Sequence, residues 1–287
     1  MTPVPPPASV PSRTSVPDGG TVPPHETPPA ADAQLSRNAV PSGDTVDVWW
    51  FGTRAVAVSP AGLAALDSGE RARAEAFLFP ADRHRYQVAH LMLRQVLASY
   101  TGGAPGQLTL GREPCPRCGA AGRPVLLPGP GLAPGAVPSF SLAHSGDMVV
   151  IAVAGRPVGV DTEQDAAGCV CALMQALHPA DAAWLAALAE RQRHEAIITC
   201  WVRAEAVLKC TGQGIGHGLG GFPVRPGRAG DLSVNGCTVV NGCTVVNGCT
   251  VVNGCTLHQL AAPAGYRAAV ALAGGGAAAA VRVRKRP

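Results

Sequence analysis

The sequence predicts an α+β protein in two successive blocks, and three observations predict it. Helical and strand-like runs follow one another twice along the chain, and a Gly155-Arg156-Pro157 turn marks the end of the first block. Each block, residues 46–155 and 156–280, has the size of an ordinary domain. The 45 residues ahead of them hold 11 of the 27 prolines and no aromatic residue, so they bury too little apolar surface to offset chain entropy. Residues 1–45 are therefore expected to be a disordered leader.

The elements follow in order. Asp47–Gly52 (DVWWFG) is expected to be the first strand, carrying Trp49 and Trp50. Pro60–Glu75 predicts a helix with Leu63 and Leu66 among alanines. Asp82–Tyr100 predicts a stronger one: Val88, Leu91, Met92, Val96 and Leu97 keep helical spacing. Asp82 suits its N-cap or first turn, and Gly102-Gly103 ends it. Residues 101–138, rich in Gly and Pro, read as loop. Phe140–Leu142 and Met148–Ala154 read as strands, with Val158–Asp161 as the second strand of a hairpin across the 155–157 turn. Helices are expected over Ala167–Leu177, Pro179–Ala189 and Gln192–Cys210, with Gly212 and Gly214 stopping the last. From Phe222 onward the pattern is strand-like, most clearly at Tyr266–Leu272. Residues 281–287, with Arg282, Arg284, Lys285 and Arg286, read as a solvated basic tail.

Asn-Gly-Cys-Thr recurs with a period of six at Asn235, Asn241, Asn247 and Asn253. Asn-Gly favours hairpin turns and Cys-Thr-Val-Val favours strands, so the segment predicts a small β meander, a few β-helix rungs being the other reading. Identical copies point to tandem duplication, an insertion over residues 235–256 that is functionally silent. The spacing of Cys237, Cys243, Cys249 and Cys255 is not a metal-ligand pattern. Cys115-Pro-Arg-Cys118 lacks a second pair of comparable spacing, because Cys169 and Cys171 are only one residue apart; no complete zinc site is expected.

Bulk properties narrow the function classes. A net charge of +4 over 287 residues gives no argument for nucleic acid by itself. No apolar run approaches the ~20 residues of a membrane helix, and the N-terminus lacks a basic segment followed by an apolar one. With no export signal, the ten cysteines are expected to be mostly reduced and the protein cytoplasmic, and the two-block length suggests a monomer.

Two short blocks carry the candidate chemistry. Gly159-Val-Asp161-Thr-Glu163 puts two carboxylates on alternate positions after a strand. Trp201-Val-Arg-Ala-Glu205-Ala-Val-Leu-Lys209 puts a carboxylate and an ammonium one helical turn apart, with Trp201 one turn earlier. Oxygen ligands of this kind suit a divalent cation holding a pyrophosphate, with an acid and a base beside it. Taken singly, each block also reads structurally: a turn acid beside a surface acid, and an i,i+4 pair stabilising a helix by ~0.2–0.5 kcal/mol. His144, followed by Ser-Gly, suits phosphate contact or a capped turn. Arg83, Arg85 and Arg94 on one helix suit a phosphate partner or a solvated basic face, the first two opposing the helix dipole.

In order along the chain these motifs are more specific than any one of them. Arg83-His-Arg85 and Arg94 come first, then Gly122-Arg123-Pro124, then Phe140-Ser-Leu-Ala-His144-Ser-Gly. The GVDTE and WVRAEAVLK blocks follow, and Pro263-Ala-Gly265-Tyr266 closes the series. From about residue 47 to 273 the chain resembles the 4′-phosphopantetheinyl transferase superfamily, in its surfactin-synthetase-activator type. The resemblance implies two similar half-domains related by a pseudo-twofold, with the active site between them. It implies transfer of 4′-phosphopantetheine from coenzyme A to a serine of acyl or peptidyl carrier proteins, releasing 3′,5′-ADP, in polyketide, nonribosomal peptide or fatty-acid synthesis. By the same resemblance, Asp161, Glu163 and Glu205 would hold Mg²⁺. Glu205 would be the base for the carrier serine, and Lys209 would neutralise the pyrophosphate. His144 and Arg85 would contact the nucleotide end of CoA, and Arg123 stands where the family has a CoA-binding Lys. Ala204 and Ala143 depart from the family pattern at places where a Lys and a Ser are frequent. They are the support for an alternative, a catalytically impaired CoA- or carrier-binding homologue. A third reading, a small zinc or nucleic-acid module, fails for want of a second ligand pair.

Overall fold

The computed structural model describes residues 35–129, 137–165, 170–214, 219–226, 254–274 and 280–284, with short strands at 233–234, 237–240, 243–246 and 249–252. Most of the leader and the start expected for the helix at Ala167 lie outside these residues. Residues 35–44 do not behave as leader: Leu35 and Val40 pack against the first core, and the Asn38 side chain donates to the Ser99 hydroxyl. Two apolar side chains and a polar anchor hold a segment whose composition argued against order.

Strand β1 (Thr45–Gly52) leads through helices α1 (Pro60–Ala65) and α2 (Ser68–Glu75) into the long helix α3 (Pro80–Thr101). The single helix expected over Pro60–Glu75 is two because Asp67 restarts it. Its carboxylate accepts from the Glu70 amide, while the Glu70 carboxylate accepts from the Asp67 amide. Helix α3 starts on a proline in its first turn and stops at Gly102, whose φ of 75° is a left-handed cap.

The stretch expected to be loop contains a hairpin, β2 (Leu110–Pro114) and β3 (Ala121–Leu126). Strands β4 (Ser139–Ser145) and β5 (Met148–Ala154) then form an antiparallel pair, and β1 lies on the other edge of β5. With both edges of β5 taken, the next strand, β6 (Val158–Gln164), cannot complete the hairpin expected across Gly155–Pro157. It crosses to a second sheet and pairs with a strand more than a hundred residues later.

Helices α4 (Cys171–Ala176), α5 (Pro179–Ala186) and α6 (Glu190–Thr211) follow. The repeat is a meander: β7 (Ser233–Val234), β8 (Cys237–Val240), β9 (Cys243–Val246) and β10 (Cys249–Val252) pair in antiparallel succession. They extend the sheet edge formed by β11 (Cys255–Leu260) and β12 (Tyr266–Ala273), with β12 against β6. The fourth copy, however, supplies core: Cys255 and Leu257 are buried under α6.

The result is four layers. One core lies between α3 and the first sheet, using Trp49, Phe51, Val149, Ile151 and Val153. Val46, Val48, Val150, Ala152, Val158, Val160 and Val270 form a second core between the two sheets. A third, including Ala204, Val207, Leu208, Ala269 and Ala271, lies between the second sheet and α6. Strands β1, β5 and β12 feed two cores each because alternate residues face opposite sides, whereas β6 gives only Val158 and Val160, to the inter-sheet core.

The basic tail is corrected too. β13 (Ala280–Arg284) returns to the first half and pairs in parallel with β1. Arg282 and Arg284 share a face and both bind Asp47, at 2.6 and 3.1 Å. Asp47 is fully buried and also accepts from the Tyr100 hydroxyl. A buried carboxylate needs compensating charge, and these arginines supply it. Removing residues 280–287 is expected to destabilise the protein by about 3 kcal/mol, read from denaturant unfolding, because one partner of a buried pair is lost.

Candidate functional site

The site begins with a glycine. On β6 the residues 158, 160 and 162 face the inter-sheet side, so 159, 161 and 163 face α6. A Cβ built on Gly159 would stand 2.0 Å from the Ala206 carbonyl oxygen and 2.4 Å from the Cys210 nitrogen. Only glycine lets the α6 backbone come this close, and that contact aligns the GVDTE strand with the Glu205–Lys209 turn.

Lys209 does not pair with Glu205 as the helical spacing suggested. Its ammonium donates to Asp161 Oδ1 at 2.6 Å and to the Val160 carbonyl at 3.2 Å. Asp161 Oδ2 is buried without a hydrogen-bond partner. Burial pushes the Asp161 pKa up despite the nearby Lys209 charge. Glu163 is also raised by burial and by Asp161, although Ser145 Oγ donates to it at 2.7 Å. Glu205 is 5% exposed, and its pKa rises to about 7, first by burial, then by the Asp161 and Glu163 charges against the Lys209 ammonium. Three carboxylates thus share one field with a single ammonium. Among the described residues no group of three His, Cys, Asp or Glu side chains converges closely enough to form a ready-made ligand set. The donor set still fits a hard cation: all oxygens, an orphaned buried carboxylate oxygen, and carboxyl pKa values raised first by burial and, at Glu163 and Glu205, also by the neighbouring carboxylates.

A cavity of about 650 Å³ opens beside Glu205 and Lys209. The end of α6 forms one wall through Glu205, Leu208, Lys209 and Gly212–Gly214. The β2–β3 hairpin brings Arg112 and Arg123, β4 brings Phe140 to Leu142, and α3 brings His90 and Leu93. Arg123 is held at 2.7 Å from Glu113 and donates at 2.7 Å to the Cys210 carbonyl. It thereby docks the hairpin on α6, one residue beyond Lys209.

His144 and Arg85 do not line this cavity. On β4, Phe140 and Leu142 face the α3 side with His144, while Ser141 and Ser145 bond to β6. His144 presents surface to solvent yet sits low among its neighbours. Burial, then the charges of Lys209, His90 and Arg85, push its pKa below the usual histidine range. Arg85 pairs with Asp82 one turn earlier. The predicted anion contacts therefore form a second cluster, on the α3 side of β4 and within electrostatic reach of Lys209.

Arg94, expected as a basic face, is fully buried. It binds Glu70 at 2.7 Å and Asp67 at 2.8 Å and ties α3 to α2. Burial alone would raise the Glu70 pKa, but bonds from His90, the Asp67 amide and Arg94 hold it below the ordinary value. Ala143 and Ala204 are both buried, in the inter-sheet core and the α6 core. Sequence reasoning missed Ser145, Arg112, Glu113 and His90. Alternation from His144 is the signal that points to Ser145; the two hairpin residues sit in a stretch whose Gly and Pro content masks its strands.

Comparison with known proteins covers the second half of this architecture most firmly. Residues 157–270 match the family model of the 4′-phosphopantetheinyl transferase superfamily. The chain is 32% identical over 155 residues to the 4′-phosphopantetheinyl transferase HetI of Nostoc sp., covering 53% of this chain and 62% of the relative. It is 30% identical over 166 residues to the 4′-phosphopantetheinyl transferase psf-1 of Bacillus pumilus, covering 58% and 66%. A 4′-phosphopantetheinyl transferase of Bacillus subtilis is 24% identical over 172 residues, covering 60% and 71%. The alignment thus spans less than two thirds of the Nostoc relative's length.

Proposed function

We propose that this chain, whose residues 157–270 match the family model of the 4′-phosphopantetheinyl transferase superfamily, moves 4′-phosphopantetheine from coenzyme A to a serine of a carrier protein. The observation that carries the reading is the cavity beside Glu205 and Lys209, whose lining also holds Arg112 and Arg123. The hairpin arginines together with Glu205 and Lys209 at the end of α6 suit a pyrophosphate and its cation. The halves built on α3 and on α6 are the two members of a pseudo-twofold pair, with the site where they meet.

The chain's own groups divide the work. Glu205, poised near neutrality, takes the proton from the carrier serine hydroxyl, directly or through water. The serine oxygen then attacks the β-phosphorus of CoA, and 3′,5′-ADP leaves. Lys209 offsets charge growing on the phosphate oxygens. Arg123 holds the CoA beside it, and His144 with Arg85 meets the 3′-phosphate end. Asp161, Glu163 and Glu205 would hold Mg²⁺, which when bound neutralises the pyrophosphate. The enzyme works as a cytoplasmic monomer on carriers of polyketide, nonribosomal peptide or fatty-acid synthesis. A carrier with an acidic docking helix suits the +4 net charge.

The test is direct. Incubated with CoA, Mg²⁺ and an apo carrier domain, the protein is expected to add the mass of one phosphopantetheine to the carrier. Unmodified carrier across several acyl and peptidyl carrier domains overturns the proposal.

A further inference from the structure

The tip of the β2–β3 hairpin has chemistry that the transferase reading does not use. Residues 115–120 form a closed loop: the Cys115 amide donates to the Ala120 carbonyl at 2.6 Å, and the Gly119 amide to the Cys115 carbonyl at 2.9 Å. Gly119 has φ 74°, which lets the chain reverse tightly enough to bring residues 115 and 118 together. Cys115 is buried and Cys118 is exposed. Their side chains hydrogen-bond to each other, and the Cys115 sulfur also receives the backbone amides of Arg117, Cys118 and Gly214.

We propose that Cys115 and Cys118 form a reversible dithiol–disulfide couple that takes its oxidising equivalents from a low-molecular-weight disulfide. The exposed Cys118 thiolate attacks one sulfur of that reagent, forming a mixed disulfide and expelling one thiolate. The Cys115 thiolate then attacks Cys118 Sγ, closing the cystine and expelling the second. Two cysteine thiols lose two electrons and two protons, and the reagent is reduced to two thiols. The amide bonds that hold the Cys115 sulfur lower its pKa and favour the attacking thiolate. Two buried thiols elsewhere are set the other way: Cys200 is pushed up to about 12 by burial, and Cys210 is raised by its bond with Cys255, which lowers Cys255 in turn. The Cys210–Cys255 pair has sulfurs 3.4 Å apart but lies buried between α6 and β11, out of reach of a bulky oxidant.

The couple sits where it can be felt. A Cβ on Gly122 would stand 3.0 Å from the Cys115 nitrogen and 3.1 Å from the Gly212 carbonyl oxygen, so the loop, β3 and the end of α6 are in backbone contact. Oxidation alters the sulfur that accepts from the Gly214 amide, on a cavity wall. The assignment is independent of the transferase reading.

Treated with oxidised glutathione, alkylated and mapped by peptide mass, the full-length protein is expected to show a 115–118 cystine that a dithiol reductant reverses. Cys115→Ser is expected to trap glutathione on Cys118, and Cys118→Ser to lose the reaction; the exposure of Cys118 makes that variant safe to fold. Backbone exchange at Gly212–Gly214 is expected to be several-fold faster in the oxidised protein. A stable glutathione adduct on wild-type Cys118, or a cystine at Cys210–Cys255 in its place, overturns the assignment. Unchanged exchange overturns the link to the cavity.

Discussion

Glu205→Gln is expected to stop phosphopantetheine transfer and, in the same molecule, to raise stability. The first effect follows from the proposed role of Glu205 as base: a glutamine cannot accept the serine proton, and the loss is expected to be ~10²–10⁴-fold in kcat. CoA binding, followed calorimetrically, should survive, because Arg123 and Lys209 are unchanged. The second effect follows from burial. The carboxyl goes from 4.5 unfolded to about 7 folded. A group raised on folding gives stability that is complete below its unfolded pKa and is lost as pH rises through the folded one. Wild-type protein without added cation should therefore weaken between pH 4.5 and 7, by about 3 kcal/mol from this group. The glutamine variant lacks that slope and should be the more stable of the two at pH 8. Added Mg²⁺ should raise the wild-type unfolding midpoint at pH 8 and move the variant's much less. A variant that turns over normally removes Glu205 from the chemistry; one that is dead but no more stable removes the charge argument.

The parts of this design that the sequence disclosed are those in which local pattern and tertiary role agree. Helices α3 and α6 have apolar residues at helical spacing and glycine caps, and both appear where those signals put them. Strand β5 is a continuous apolar run, as a strand buried on both faces must be. The GVDTE and WVRAEAVLK blocks were legible as a pair, because strand and helix periodicity fix which residues share a face. What stayed hidden was pairing over distance. Nothing local says that β5 has no free edge for β6, or that Arg282 and Arg284 cross the molecule to Asp47. The β2–β3 hairpin was masked by Gly111, Pro114, Gly122 and Pro124, which read as loop and are tolerated because this two-stranded ribbon has open edges. Lys209 shows the same limit at one residue. Helical spacing offered Glu205 as its partner, and a strand crossing beneath the helix supplied Asp161.

Gly159→Ala tests that crossing, and its expected effect is out of proportion to one methyl group. The added carbon would meet the Ala206 carbonyl oxygen and the Cys210 nitrogen and Cα, at 2.0, 2.4 and 3.0 Å. All three are backbone atoms of one helix, so no side chain can rotate away. Either β6 or α6 must move by about 1 Å, and misplacement of that order at a reacting centre costs about 10²-fold in rate. Packing against the moved helix should lose about 3 kcal/mol, seen as a lower denaturant midpoint. Gly52→Ala, with nothing within 4 Å of its added carbon, is the matched control and should leave both readings unchanged. Trimming α6 side chains around the contact should not rescue Gly159→Ala, because the obstruction is main chain. A Gly159→Ala protein with wild-type stability and turnover would mean that the helix and the strand are not in register by contact. The joint placement of Asp161, Glu205 and Lys209 would then need another cause.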